Sequence, residues 1–224
     1  SGNNRLLVVC YGQESNSTVD SMSYNGVAMT RIHREYNSDG AQNVTEMWYM
    51  LDADMPSSSG TYDVSMSVTG GNGPGVVVLS FEGVLQQAPE AHNSSQYASD
   101  ASDRSTTQIS NVSEGSLVVS VACNGSSNGY DGSVGSAGGA GIRQAEGQPS
   151  SAGMGVSTDL SSAGGTFNVV EISELSPSTT LRATHIVSAF APAPETSRLL
   201  SLGLTLTDPQ DEENSINLRT KVYM

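Results

Sequence analysis

Carboxylates are the residues of this chain with the most obvious capacity for chemistry. Glu46, Glu82 and Glu171 lie in or beside strand-like runs, and Asp52-Ala53-Asp54 follows the run around Trp48. Two carboxylates at a set separation are what glycoside hydrolysis needs. The alternate spacing of Asp52 and Asp54 would let both face one calcium-like cation. A solvated acidic loop explains that pair more simply, so Asp52 and Asp54 stand only as weak metal candidates. The denser group Asp208, Asp211, Glu212 and Glu213 lacks the glycine-punctuated form of a calcium loop. His33, His92 and His185 are far apart and do not share the H-x-x-x-H spacing of a metal helix. Nothing in the spacing sets a base beside Cys10 or Cys123. No catalytic residue and no cofactor is therefore expected, and the chain reads as a non-enzymatic protein.

Sugar binding without catalysis would use exposed aromatic rings. Trp48, Tyr49, Tyr62, Phe81 and Phe167 fall in strand registers and read as core, whereas Tyr11, Tyr36, Tyr97 and Tyr130 lie nearer loops and are the better exposed candidates. With aromatic residues at 5% of the chain, weak glycan binding is the minor reading. Nine basic residues against 23 acidic ones give a net charge of −14, a field that repels nucleic acid phosphates. No apolar run reaches the length of a membrane span. Ser1 opens almost directly onto a strand, so no signal peptide is expected. Cys10 and Cys123 each close an apolar run, and two buried free thiols are preferred over a disulfide between neighbouring strands.

The elements that must position these residues are extended. A length of 224 residues with 24 glycines, many Ser and Thr and short β-branched runs fits one large all-β domain. Strands are expected near Leu6–Tyr11, Met22–Tyr24, Val27–His33, Thr45–Leu51, Tyr62–Val68 and Val76–Phe81, with an Asn25-Gly26 hairpin turn. Further strands are expected near Leu117–Cys123, Gly141–Ala145, Phe167–Ile172 and Leu181–Ala191. Leu85 to Asn111 reads as a polar connector, within which only 100–110 resembles a short helix. The stretch 125–141 reads as a long glycine-rich surface loop. The run Arg5 to Arg31 is echoed from Ser116 to Arg143, Gly60-Thr61-Tyr62-Asp63-Val64 by Gly165-Thr166-Phe167-Asn168-Val169, and Val78 to Phe81 by Ile186 to Phe190. The expected fold is an antiparallel β-sandwich, jelly-roll-like, of two related halves at about 1–88 and 113–194, with a C-terminal β-arm at 195–224.

The segments Arg5-Leu6-Leu7-Val8-Val9, Tyr24-Asn25-Gly26-Val27-Ala28-Met29-Thr30, Glu46-Met47-Trp48-Tyr49, Gly60-Thr61-Tyr62-Asp63-Val64 and Ser80-Phe81-Glu82-Gly83-Val84 resemble a jelly-roll-type β-sandwich domain of tailed-phage virion proteins and environmental bacterial surface proteins. The resemblance covers about Asn3 to Pro192 and is looser in the second half. Its motifs are structural, so it implies a fold and a virion or surface context and no reaction. Members usually carry a strand ahead of the first of these segments, which this chain lacks, and the residues after Pro194 are an addition to the pattern.

In that addition, Arg198 to Thr207 alternates as a strand, an acidic turn follows, and Ile216 to Tyr223 is strand-like again. It can fold back in place of the missing strand or pair with the edge of a neighbouring subunit. The expected interface residues are Arg198, Leu200, Leu202, Leu204, Ile216, Leu218 and Val222. Together these features predict a capsid decoration or cement protein of a tailed phage, at the virion surface. Its partners would be other copies of itself and neighbouring virion or surface proteins. The alternatives are an extracellular or cell-surface filament subunit built by strand exchange and a tail or receptor-binding module that takes carbohydrate.

Overall fold

The computed structural model describes residues 4–37, 42–70, 75–100, 104–125, 130–135, 141–145, 153–173, 181–194, 204–207 and 215–218. It is all-β, with antiparallel sheets, and the chain divides into a body, Ser1–Ala193, and a C-terminal unit, Pro194–Met224. In the first half of the body the strands are β1 (Leu6–Gln13), β2 (Thr18–Tyr24), β3 (Val27–Ala28), β4 (Thr30–Asn37), β5 (Asn43–Leu51), β6 (Val64–Thr69) and β7 (Gly75–Phe81). In the second they are β8 (Ala91–Asp100), β9 (Arg104–Val112), β10 (Leu117–Asn124), β11 (Tyr130–Gly135), β12 (Gly141–Ala145), β13 (Gly153–Leu160), β14 (Gly165–Ser173) and β15 (Leu181–Phe190). The C-terminal unit holds β16 (Leu204–Thr207) and β17 (Ser215–Leu218), paired Leu204 to Leu218 and Leu206 to Ile216.

The sheet orders are β3-β2-β6 and β4-β5-β1-β7 in the first half, and β12-β13-β10-β15-β8 and β11-β14-β9 in the second. Alternation along β1 and β10 stacks these sheets into four layers. Leu7, Val9 and Tyr11 pack toward β2 and β6 with Val19, Met22 and Trp48, whereas Leu6, Val8 and Cys10 pack toward the second half against Val119, Val121, Met154 and Ile186. Val118 on the other side of β10 joins Ile109, Phe167, Val169 and Val187 in a third core. All eight residues of β1 and of β10 are buried, because each strand lies between two cores. An unbroken apolar run such as Leu6 to Cys10 is the signature of a strand covered on both faces.

The two halves share one wiring. Leu6 is paired with Leu51 and Phe81, and Leu117 with Leu160 and Phe190, so β1, β5 and β7 correspond to β10, β13 and β15. Close approach of the two large sheets depends on Gly12, where a Cβ would meet Met154 Sδ at 2.7 Å and Cys123 Cβ at 3.1 Å. Asn43 Nδ2 donates to Cys123 O at 2.7 Å, and the Thr45 and Thr184 hydroxyls meet at 2.6 Å, so the middle interface is pinned by polar contacts as well. At its end, Val84 bridges Pro192, and Ala193 N donates to Gly83 O at 2.7 Å.

Several expectations need correction. The polar stretch Leu85–Asn111 contains two strands, β8 and β9, so the described residues of the stretch read as a helix, Asp100 and 104–110, are extended; exposed Thr106, Gln108 and Ser110 alternate there with buried Ser105, Thr107 and Ile109, a period of two. Within the glycine-rich run 125–141, Tyr130–Gly135 pairs with β14, since backbone hydrogen bonds do not require large side chains. β13 was not expected at all. Asn25 and Gly26, at φ 50° and 77°, form the hairpin turn as expected, but it joins β2 to the two-residue β3 only. The chain then changes sheet at Met29 and continues as β4.

Candidate functional site

Three polar clusters carry the side chains with catalytic composition. In the second half, Glu171 on β14 and His185 on β15 are buried with Ser120, Ser157 and Thr107. Ser120 Oγ donates to Glu171 Oε1 at 2.5 Å, Ser157 donates to the same oxygen, and His185 Nε2 lies 2.8 Å from Ser120 Oγ. On the far side of the ring, His185 Nδ1 is 2.9 Å from the Thr107 hydroxyl. Burial drives the imidazole down to about 3, so it is neutral and spans Ser120 and Thr107 with one donor and one acceptor nitrogen. Burial also pushes the Glu171 carboxyl up, and the hydroxyls of Ser120 and Ser157 pull part of the way back.

This cluster resembles a Ser-His-Glu set in composition and differs from one in wiring. A hydrolytic triad needs the carboxylate to hold the imidazole while the imidazole takes the serine proton. Here the carboxylate holds the serines, a threonine holds the imidazole, and all five side chains are at most 3% exposed. The arrangement is a sealed polar crosslink between the two sheets of the half. Ser120 stands where β1 has Val9, so the first half is apolar at the equivalent point.

In the first half, Glu46 is fully buried and accepts from Val19 N and Trp48 Nε1, both at 3.0 Å. Arg31 and Arg34 approach it at 3.5 Å, Arg31 lies over the Trp48 ring at 5.3 Å, and Arg34 over Tyr36 at 5.2 Å. These contacts seal the flank of the first half on its β4 side. The third cluster bridges the halves: Ser94 on β8 donates to Glu35 on β4, its hydroxyl is 2.9 Å from His33 Nε2, and the His33 and His92 rings are 5.9 Å apart. Glu35 is held below the usual carboxylate range, first by its hydrogen bond to His33. Burial, and then the charge of His33, hold His92 below its usual value.

The expected sites distribute as follows. Asp52 accepts from Arg5 Nε at 2.5 Å within a single 3₁₀ turn, Asp52–Asp54, and Asp54 is exposed. The turn removes the strand-like alternation that would have aimed both carboxylates at one cation. Among the described residues, no group of three or more His, Cys, Asp or Glu is placed to hold a metal ion. Glu46 and Glu171 lie in different cores, and Glu82 is exposed beyond β7, so the carboxylates are not brought together. Tyr11, expected near the surface, is fully buried with its hydroxyl bonded to Gln13 and Ser17. The Tyr97 hydroxyl is engaged by the Thr106 backbone. Cys10 and Cys123 are buried free thiols, Cys123 pushed up to about 12 by burial. Of the expected interface residues, Leu204, Ile216 and Leu218 lie in β16 and β17, and Arg198, Leu200, Leu202 and Val222 lie outside the described residues.

The feature that sequence reasoning missed is an unsealed flank. β7 pairs only with β1 and β6 only with β2, so both are sheet edges among the described residues. Between them Val64, Met66, Val68 and Val76 are only partly buried, and Val78 is 47% exposed. The equivalent flank of the second half is closed: β8 pairs with β15, β9 with β14, and Val187, the counterpart of Val78, is 0% exposed. No protein-family model, curated protein or solved structure matches the chain.

Proposed function

We propose that this chain is a non-enzymatic structural subunit of an assembly, a capsid decoration or cement protein of a tailed phage, jelly-roll-like in each half and displayed at the virion surface. The observation that carries the reading is the open flank of β6 and β7. A row of unpaired backbone groups beside an exposed valine, Val78, is a template for strand addition, and a protein that stays single covers or charges such an edge. Among the described residues nothing pairs with it, and Val78 of β7 is 47% exposed. The resemblance to phage virion domains supplies the setting, and the net charge of −14 argues that the partner is protein and not nucleic acid.

The test is imaging and hydrodynamics of the full chain. Electron microscopy of native particles is expected to show it on capsid shells, and light scattering to give a defined oligomer. Filaments would transfer the same edge to a polymer-building role. A monomer that binds glycans would overturn the assembly reading in favour of a carbohydrate-binding module.

A further inference from the structure

The internal repeat identifies what fits the open flank. In the second half the flank is covered by two successive strands, β8 antiparallel to β15 and β9 antiparallel to β14, with Ile109 and Val112 of β9 buried beneath them. The strands that close it arrive from outside, because the chain leaving β7 crosses at Val84 and reaches β8 after residues 82–90. At the same crossing the chain leaving β15 passes in the opposite direction: Pro192 bridges Val84, and Ala193 N donates to Gly83 O, two residues beyond the end of β7. The same nine-residue step beyond Phe190 leads to Leu200, where the alternation Leu200, Leu202, Leu204, Leu206 begins. A second alternating run, Ile216, Leu218, Val222, follows the turn.

We propose that the C-terminal segment of a second copy, residues 198–223, adds as a strand pair along β7 and over β6, and that the exchange is reciprocal. The proposal rests on the assembly reading above and names its partner. Chemistry and geometry both favour this donor. Its two alternating runs, 198–207 and 215–223, carry Arg198, Arg219 and Lys221, the acidic residues Asp208, Asp211, Glu212 and Glu213 being confined to the turn between them, whereas the flank is bounded by exposed Asp63 before β6 and Glu82 after β7. Donated leucines at alternate positions would cover Val76 and Val78 as β9 covers Val187. The root of the segment lies at Gly83, beside the edge that receives the partner's strand. That proximity is the condition for a closed two-fold exchange. Pro192 and Pro194 keep the root extended.

The experiment is disulfide trapping between chains that each carry one introduced cysteine. One full-length chain bears Val78→Cys and the other Leu200→Cys, Leu202→Cys or Leu204→Cys, co-expressed and oxidised, with Cys10 and Cys123 protected by burial. The expected result is a covalent two-chain species in place of the 23.2 kDa chain for at least one pairing, and none when Val78→Cys is replaced by Val27→Cys. Thermal melts of each variant confirm folding. A chain carrying both cysteines that closes on itself without joining a second chain overturns the proposal, as does an oligomer in which no pairing links. In either of those cases the assembly reading stands if light scattering still gives an oligomer. A monomer overturns both.

Discussion

Replacing His185 by glutamine should remove the share of the body's acid sensitivity that this imidazole carries, leaving the shares of Glu35 and His92 in place. In the folded chain the buried imidazole titrates near 3, against 6.5 when unperturbed. The folded state therefore keeps it neutral while the unfolded chain takes up a proton as the pH falls below about 6.5. Stability held through this residue is complete above that pH and drains away below it, by up to about 1.4 kcal/mol for each pH unit. Between pH 7 and pH 5 the loss is about 2 kcal/mol, which for a body of this size lowers the melting temperature by roughly 4–8 °C. Glu171 works in the opposite sense, because burial raises its carboxyl and acid relieves that penalty, but it is present in both proteins and drops out of the comparison. His185→Gln retains a donor and an acceptor for Ser120 and Thr107 and cannot gain charge. Urea denaturation of both proteins at pH 7 and pH 5, above the isoelectric point of about 4.3, measures the difference directly. Equal pH dependence in the two would refute the picture of a sealed neutral imidazole.

Two further outcomes follow from the packing. Gly12→Ala places a methyl 3.1 Å from Cys123 Cβ and nearer still to Met154 Sδ. It should cost about 1–3 kcal/mol through overpacking, read as a lower urea midpoint, and a variant of unchanged stability would show that the middle interface is looser than described. Cys10 and Cys123, buried and with thiols held far from ionisation, should resist iodoacetamide at pH 8 in the folded protein and react together once unfolded. Labelling of either in the native state would contradict the burial of β1 or β10.

Much of the architecture was readable because it is local. The apolar runs Leu6–Cys10 and Leu117–Cys123 announced strands, and the Asn25-Gly26 turn announced its hairpin through its left-handed backbone. The echo of Val78–Phe81 in Ile186–Phe190 marked β7 and β15 as counterparts, and their shared pairing with Leu6 and Leu117 bears this out. β8 and β9 were hidden by their composition, since Ser, Thr, Asn and Gln give little contrast between a wet face and a buried one. The polar cluster was hidden by distance. Thr107, Ser120, Ser157, Glu171 and His185 stand on five strands, β9, β10, β13, β14 and β15, and no spacing along the chain marks them as neighbours. At the weak candidates Asp52 and Asp54 a 3₁₀ turn stands where strand alternation was assumed, and Asp52 is bonded to Arg5.

By itself the sequence determined that the chain is extended, sheet-forming and doubled, because periods of two and paired turn chemistry act within a few residues of one another. Only the tertiary structure decided which faces of β1 and β10 are covered, which strands close the second half, and which flank of the first is left open among the described residues. Those outcomes depend on sheet stacking and on edge pairing between residues dozens of positions apart. A strand carries the same local pattern whether its outer edge is filled or empty.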